Sequence, residues 1–166
     1  MNDAPILRQA TPADAAAISR LVTSLAPSYV LPDQPPESAE ELLAWMGEAA
    51  VGERMRAGHR HLVAEVDGRL VGVVATRDES HLFLLFVDAA FHRRGIARVL
   101  WNAALAACVE AAQPERITVN ASPYSVPAYR RLGFVDLGPA RLDRWLITVP
   151  MEFRVRDTPA VVAGDI

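Results

Sequence analysis

Apolar positions recur along the chain with two different periods, and each change of period marks a new element. Ile6–Gln9 is a short apolar start. Thr11-Pro12-Ala13-Asp14 then reads as a helix entry, with Thr11 as N-cap, Pro12 in the first turn and Asp14 at the positive end of the dipole. Ile18, Leu21, Val22 and Leu25 give that helix one apolar face. Prolines 27, 32 and 35 predict a loop from Ala26 to Pro36. Ser38-Ala39-Glu40-Glu41 has the form of a capping box and opens a second helix, expected to run to about Ala57.

The period then shortens to that of strands. His61–Val66 and Arg69–Arg77 flank Asp67-Gly68 and predict a hairpin. His81–Val87 (HLFLLFV) is nearly continuous in apolar residues, as expected for a central strand covered on both faces. From Gly95 to Ala112 apolar residues return at helical spacing, at 96, 99, 100, 103, 104, 107, 108 and 111. Ile117–Val119 is read as strand, Tyr124–Leu132 as a short helix stopped by Gly133, and Phe134–Leu137 and Trp145–Val155 as strands. The predicted order is β-α-α-β-β-β-α-β-α-β-β, a mixed α/β sheet. Residues 1–156 are expected to form one domain and 157–166 a loose tail.

Composition narrows the chemistry. Half of the 166 residues are apolar (51%), as expected of a packed globular chain. The formal charge is −3, which leaves no broad basic face for nucleic acid. All seventeen basic residues are Arg; without Lys, Schiff-base chemistry and a Walker-A phosphate loop are excluded. One Cys, Cys108, excludes a disulfide framework and a cysteine-rich zinc site; on the apolar face of its helix it reads as packing. No clustered metal ligands stand out, so no metal is expected. No stretch has the length of a membrane span and the N-terminus lacks a signal-like build, so a cytoplasmic location is the expectation.

The informative stretch is Val87-Asp88-Ala89-Ala90-Phe91-His92-Arg93-Arg94-Gly95-Ile96-Ala97-Arg98, a strand passing through a turn into a helix. A helix start exposes unpaired N–H groups and partial positive charge, which suit a phosphate. Gly95 and Ala97 keep the backbone approachable, and Arg93, Arg94 and Arg98 add fixed charge. The alternative is a tight turn with solvated arginines.

His92-Arg93-Arg94-Gly95-Ile96-Ala97 resembles the Gln/Arg-x-x-Gly-x-Gly/Ala motif of the GNAT superfamily of N-acetyltransferases. Tyr129-Arg130-Arg131-Leu132-Gly133-Phe134 is similar to the Tyr-x-x-Leu-Gly-Phe that ends the family's short helix. The resemblance extends from Ile6 to about Val155. It implies that His92, Arg93, Arg94, Gly95, Ile96, Ala97 and Arg98 bind the pyrophosphate of acetyl-CoA as cosubstrate. It implies that the Val87 N–H meets the thioester carbonyl, and that the pantetheine arm lies in a splay between His81–Val87 and Ile117–Val119. Asn120 and Ser122 join the cofactor residues, Tyr129 protonates the departing thiolate, and a homodimer is expected.

The chain departs from the family pattern at His92, at Ser122 and Ser125, and in the fourth strand, which has no Glu between Leu82 and Val87 to serve as base. Base candidates are His81 and Glu79, then His59 and His61, which flanking Arg60 suggests lie on an exposed edge. Asn120 or Ser122 ordering a water is a further route. Tyr29 and Trp45 are candidate walls of the acceptor pocket. Glu37, Glu40, Glu41, Glu48 and Glu53 read as a solvated face rather than a cation trap. Trp101 and Trp145 carry no functional reading. Two functions follow: an N-acetyltransferase acting on a small-molecule, peptide or protein primary amine by direct attack in a ternary complex, or a non-catalytic acyl-CoA sensor.

Overall fold

The computed structural model describes residues 4–157. Eight strands form one sheet in the order β1-β2-β3-β4-β5-β8-β6, with β7 paired to β8. They are β1 (Ile6–Gln9), β2 (Arg60–Val66), β3 (Arg69–Arg77), β4 (His81–Val87), β5 (Arg116–Ala121), β6 (Val135–Asp136), β7 (Arg141–Asp143) and β8 (Leu146–Arg154). The helices are α1 (Ala15–Tyr29), α2 (Ser38–Trp45), α3 (Glu48–Arg56), α4 (Ile96–Ala112) and α5 (Val126–Arg131). The mixed α/β class is as expected. The order differs by one extra helix and one extra strand. The expected tail beyond Asp157 lies outside the described residues.

Two cores form, one on each face of the sheet. Ile18, Val22, Leu25, Leu42, Met46 and Val51 pack from α1–α3 onto Val63 and Val73. Leu100, Trp101, Ala104 and Cys108 of α4 pack on the other face with Leu82, Ile117, Phe134 and Phe153. Trp101 is thus a core residue, edge-on to Phe153 at 5.3 Å, and Cys108 is fully buried.

Three local expectations need correction. The loop expected from Ala26 begins only after Tyr29, because α1 runs through Pro27. Pro27 is exposed, and buried Leu25, Ala26 and Val30 on either side of it hold the helix down. The second helix is two. It breaks at Gly47, where the Met46 carbonyl turns out to accept the Ser19 hydroxyl of α1 at 2.8 Å. Its start uses no Ser38 side-chain cap; that hydroxyl instead donates to the Trp145 carbonyl.

β7 has three exposed residues and no apolar pattern, which is why the sequence does not announce it. Strand β4 is central and, as expected, packs on both faces, with Leu82, Leu85 and Val87 in the α4-side core and Phe86 against the α1–α3 side. Leu82, Leu84 and Val87 are buried, while His81, Phe83, Leu85 and Phe86 are part-exposed to a cleft.

Candidate active site

The cleft exists because β4 and β5 part. Their parallel pairing is confined to His81↔Thr118 and Leu82↔Val119. Immediately beyond, the register with β3 passes from Thr76↔Leu82 to Ala75↔Leu84, so Phe83 is an unpaired bulge residue that bends β4 away. The resulting cleft has a volume of about 1440 Å³ and runs from the start of α4 to the loop before β2.

The backbone of β4 faces the splay with free donors. Asp88 N–H donates to the Val71 carbonyl at 2.8 Å, so Val87 and Gly72 oppose each other as a non-hydrogen-bonded pair. The N–H of Val87 therefore points away from β3 and into the splay, and by the same alternation so does that of Leu85. Leu85 has no signal of its own in the sequence; only the register exposes its role as a second donor.

At one end of the splay lies the start of α4. Gly95 adopts φ +77° and ψ 6°, the left-handed region, and a Cβ there would meet nothing within 4 Å. Val99 N–H is bonded to the Gly95 carbonyl at 3.0 Å, so the N–H groups of Ile96, Ala97 and Arg98 precede the helical ladder and point outward. The side chains around them divide. Arg93 lines the cleft, while Arg94 lies on the Phe91 ring at 5.0 Å and does not. Arg98 donates to the Arg131 carbonyl at 2.8 Å, tying α4 to the end of α5. Ile96 is buried, leaving only its backbone for a ligand. The His92 imidazole Nε2–H donates to the Val87 carbonyl at 2.6 Å and stands edge-on to Tyr29.

The opposite wall comes from β5 and α5. Asn120 is exposed on the cleft. Ser122 is buried, and its hydroxyl is shared with Ser125 Oγ at 2.9 Å and the Tyr29 carbonyl at 3.4 Å. Tyr129 lines the cleft with its ring buried, and its hydroxyl meets no hydrogen-bonding partner among the described residues. Burial pushes the phenol above its ordinary range, so it stays protonated at neutral pH.

The base candidates separate cleanly. His81 lines the cleft, hydrogen-bonds Thr118 Oγ1 through Nδ1 at 2.7 Å, and is held at about 4 by burial, hence neutral. His61 is not on an exposed edge; it is 2% exposed, with Nδ1–H to the His59 carbonyl at 3.0 Å, and burial lowers its pKa. His59 lines the cleft. Glu79 is occupied by Arg60 at 2.9 Å and does not line it. Trp45 and Tyr29 do line it, as do Arg54, Phe83, Trp145 and Thr148, which the sequence reading did not single out for function. Glu37, Glu40, Glu41, Glu48 and Glu53 are all exposed and away from the cleft. Among the described residues no cluster of three metal-ligating side chains occurs, and no helix is long and apolar enough to cross a membrane.

The backbone cradle, the open Cβ position at Gly95 and the splayed strands fit a long anionic ligand with an amide-bearing arm. Comparison with solved structures finds the same architecture in acetyltransferases. A GCN5-related N-acetyltransferase from Rhodopseudomonas palustris is similar at 23% identity and a TM-score of 0.75, covering 93% of this chain and 99% of that one. A PaiA N-acetyltransferase from Thermoplasma acidophilum, solved with coenzyme A, is similar at 14% identity and a TM-score of 0.69 (91% and 99% covered). YncA from Salmonella typhimurium, solved with acetyl-CoA, is similar at 20% identity and a TM-score of 0.62 (96% and 99% covered). No curated protein matches the sequence. The profile of the acetyltransferase (GNAT) domain matches residues 30–155, most of the chain, and this protein belongs to the GNAT acetyltransferase family.

Proposed function

We propose that the protein transfers the acetyl group of acetyl-CoA to a primary amine by direct attack within a ternary complex. The observation that carries this reading is the splay, with the Leu85 and Val87 N–H groups turned into it and Tyr129 on its far wall. In this reading the N–H groups of Ile96, Ala97 and Arg98, with Arg93, hold the pyrophosphate. Leu85 and Val87 lie about 7 Å apart along the strand. One meets the thioester carbonyl and the other an amide of the pantetheine arm.

The step balances without a co-reactant. The nitrogen lone pair forms the C–N bond as negative charge gathers on the carbonyl oxygen, where a β4 N–H stabilises it. The C–S bond then breaks, its electron pair stays on sulfur, and the Tyr129 proton is delivered there. The proton lost by nitrogen leaves through water to re-protonate the phenol. His81 is neutral at working pH, but burial holds it at about 4 and makes it a weak proton acceptor, which favours a water chain as base. The test is release of coenzyme A thiol from acetyl-CoA across a panel of primary amines. Tight acetyl-CoA binding with no release above the solvent rate for any amine would favour the sensor.

A further inference from the structure

The acceptor end of the cleft holds an uncompensated positive charge. Arg54 of α3 donates Nη2 to the Trp45 carbonyl at 2.7 Å, and its guanidinium lies 4.2 Å over the Trp45 ring. Those contacts fix its plane but neutralise nothing. None of the ion pairs among the described residues includes Arg54. Its Nε is buried without a partner among the described residues, and so is Nδ1 of His59. Both side chains border the bulge residue Phe83, at 5.8 Å and 5.4 Å from its ring centroid. Of the other basic residues lining this end of the cleft, Arg77 is paired with Asp78 at 2.9 Å and Arg144 adjoins Asp143, while His81 is neutral, so Arg54 is the charge left without an ion-pair partner on this side. A half-buried guanidinium without a counter-ion is costly, and leaving its polar neighbours unpaired adds to that cost. A carboxylate brought into the cleft against Arg54 supplies the missing counter-charge.

We propose that the acceptor amine carries a carboxylate, taken by Arg54 with His59 beside it, and an apolar part that lies against Phe83. This rests on the transferase reading above and specifies its substrate class. Phe83 precedes Leu85 by two positions on β4, so Arg54 and the β4 N–H groups line one cleft and an acceptor held by Arg54 presents its amine from that side. The Arg54 charge also disfavours the ammonium form of that amine, which must shed a proton before it attacks. A polyamine, which needs acidic walls, does not fit.

The test uses matched ligands on the coenzyme A-loaded protein. Phenylacetate, which has the carboxylate but no amine, should bind by calorimetry at least tenfold more tightly than phenethylamine, which has the amine but no carboxylate. Arg54→Gln should abolish the difference while coenzyme A affinity stays unchanged, and Arg54→Lys should restore part of it. With acetyl-CoA, L-phenylalanine should be acetylated at a kcat/KM at least tenfold above phenethylamine. Equal or better binding of phenethylamine, binding of neither probe, or a preference that survives in Arg54→Gln overturns the inference. Carboxylate binding at Arg54 without turnover of any amine would sink the transferase reading alone, and turnover of amines indifferent to the carboxylate would sink this inference alone.

Discussion

Phe134 closes on Tyr129 twice: its N–H donates to the Tyr129 carbonyl at 3.0 Å, and its ring stands edge-on to the phenol ring at 5.4 Å. With Gly133 N–H on the Arg130 carbonyl at 3.0 Å and Gly133 at φ +103°, this is a Schellman ending of α5. It explains the spacing Tyr-x-x-Leu-Gly-Phe. Tyr is the residue whose carbonyl the motif captures, Gly supplies the left-handed turn, and Phe makes the apolar contact that fixes the Tyr ring toward the cleft.

Tyr129→Phe removes an oxygen that none of the described residues uses, so thermal stability and coenzyme A affinity should stay at wild-type values. The kcat should fall by roughly 10²-fold or more, the usual scale for a lost general acid. Steady-state kinetics beside a melting curve reads both. A Phe variant at wild-type kcat, with chemistry limiting, makes the phenol a packing residue.

Gly133→Ala should damage fold and rate together. A Cβ there would stand 2.9 Å from Phe153 Cε2, and φ +103° is strained for any other residue. Urea unfolding should show a loss of about 1–3 kcal/mol, with kcat reduced because the ring of Tyr129 is no longer held.

Gly95→Glu tests the phosphate cradle. Its Cβ would enter open space, so the fold is relieved of any clash and pays only for the left-handed backbone, about 1 kcal/mol. The added carboxylate would sit among the outward N–H groups and repel a pyrophosphate. Calorimetry should show coenzyme A affinity reduced by tenfold or more, and wild-type binding that weakens with salt. Unchanged affinity would move the site elsewhere.

His92→Phe should keep the edge contact with Tyr29 and lose the bond to the Val87 carbonyl. One neutral hydrogen bond is worth about 1 kcal/mol, so the end of β4 loosens and the KM for acetyl-CoA should rise several-fold with kcat less affected. A KM at the wild-type value would show that the strand end is held without it.

Stability should fall on mild acidification. His81 titrates near 6.5 in the unfolded chain but at about 4 when folded, because burial disfavours its charged form. The stabilisation of the folded state is complete above pH 6.5 and is lost as pH drops toward 4, where the unfolded chain takes up the proton first. His61, lowered for the same reason, adds to the slope. His81→Gln should flatten urea midpoints measured between pH 7 and 4; an unchanged slope assigns it elsewhere.

The sequence by itself determined the elements whose signals are local. The hairpin at Asp67-Gly68, the helical spacing after Gly95 and the Gly133 stop are each written in consecutive residues, and Asp67 and Gly68 do take positive φ. The backbone cradle was legible for the same reason, since a helix start carries its donors whatever surrounds it. What depended on partners distant in sequence was decided only by packing. Pro27 stays in α1 because Leu25, Ala26 and Val30 are buried, and the helix breaks at Gly47 because Ser19 takes the freed carbonyl. His61 looked exposed beside Arg60, yet the alternation of β2 turns it inward against Phe83. Arg54 drew no reading from the sequence. Its meaning comes from Trp45 and Phe83, which strand pairing and helix docking bring beside it, and from the lack of an ion-pair partner among the described residues.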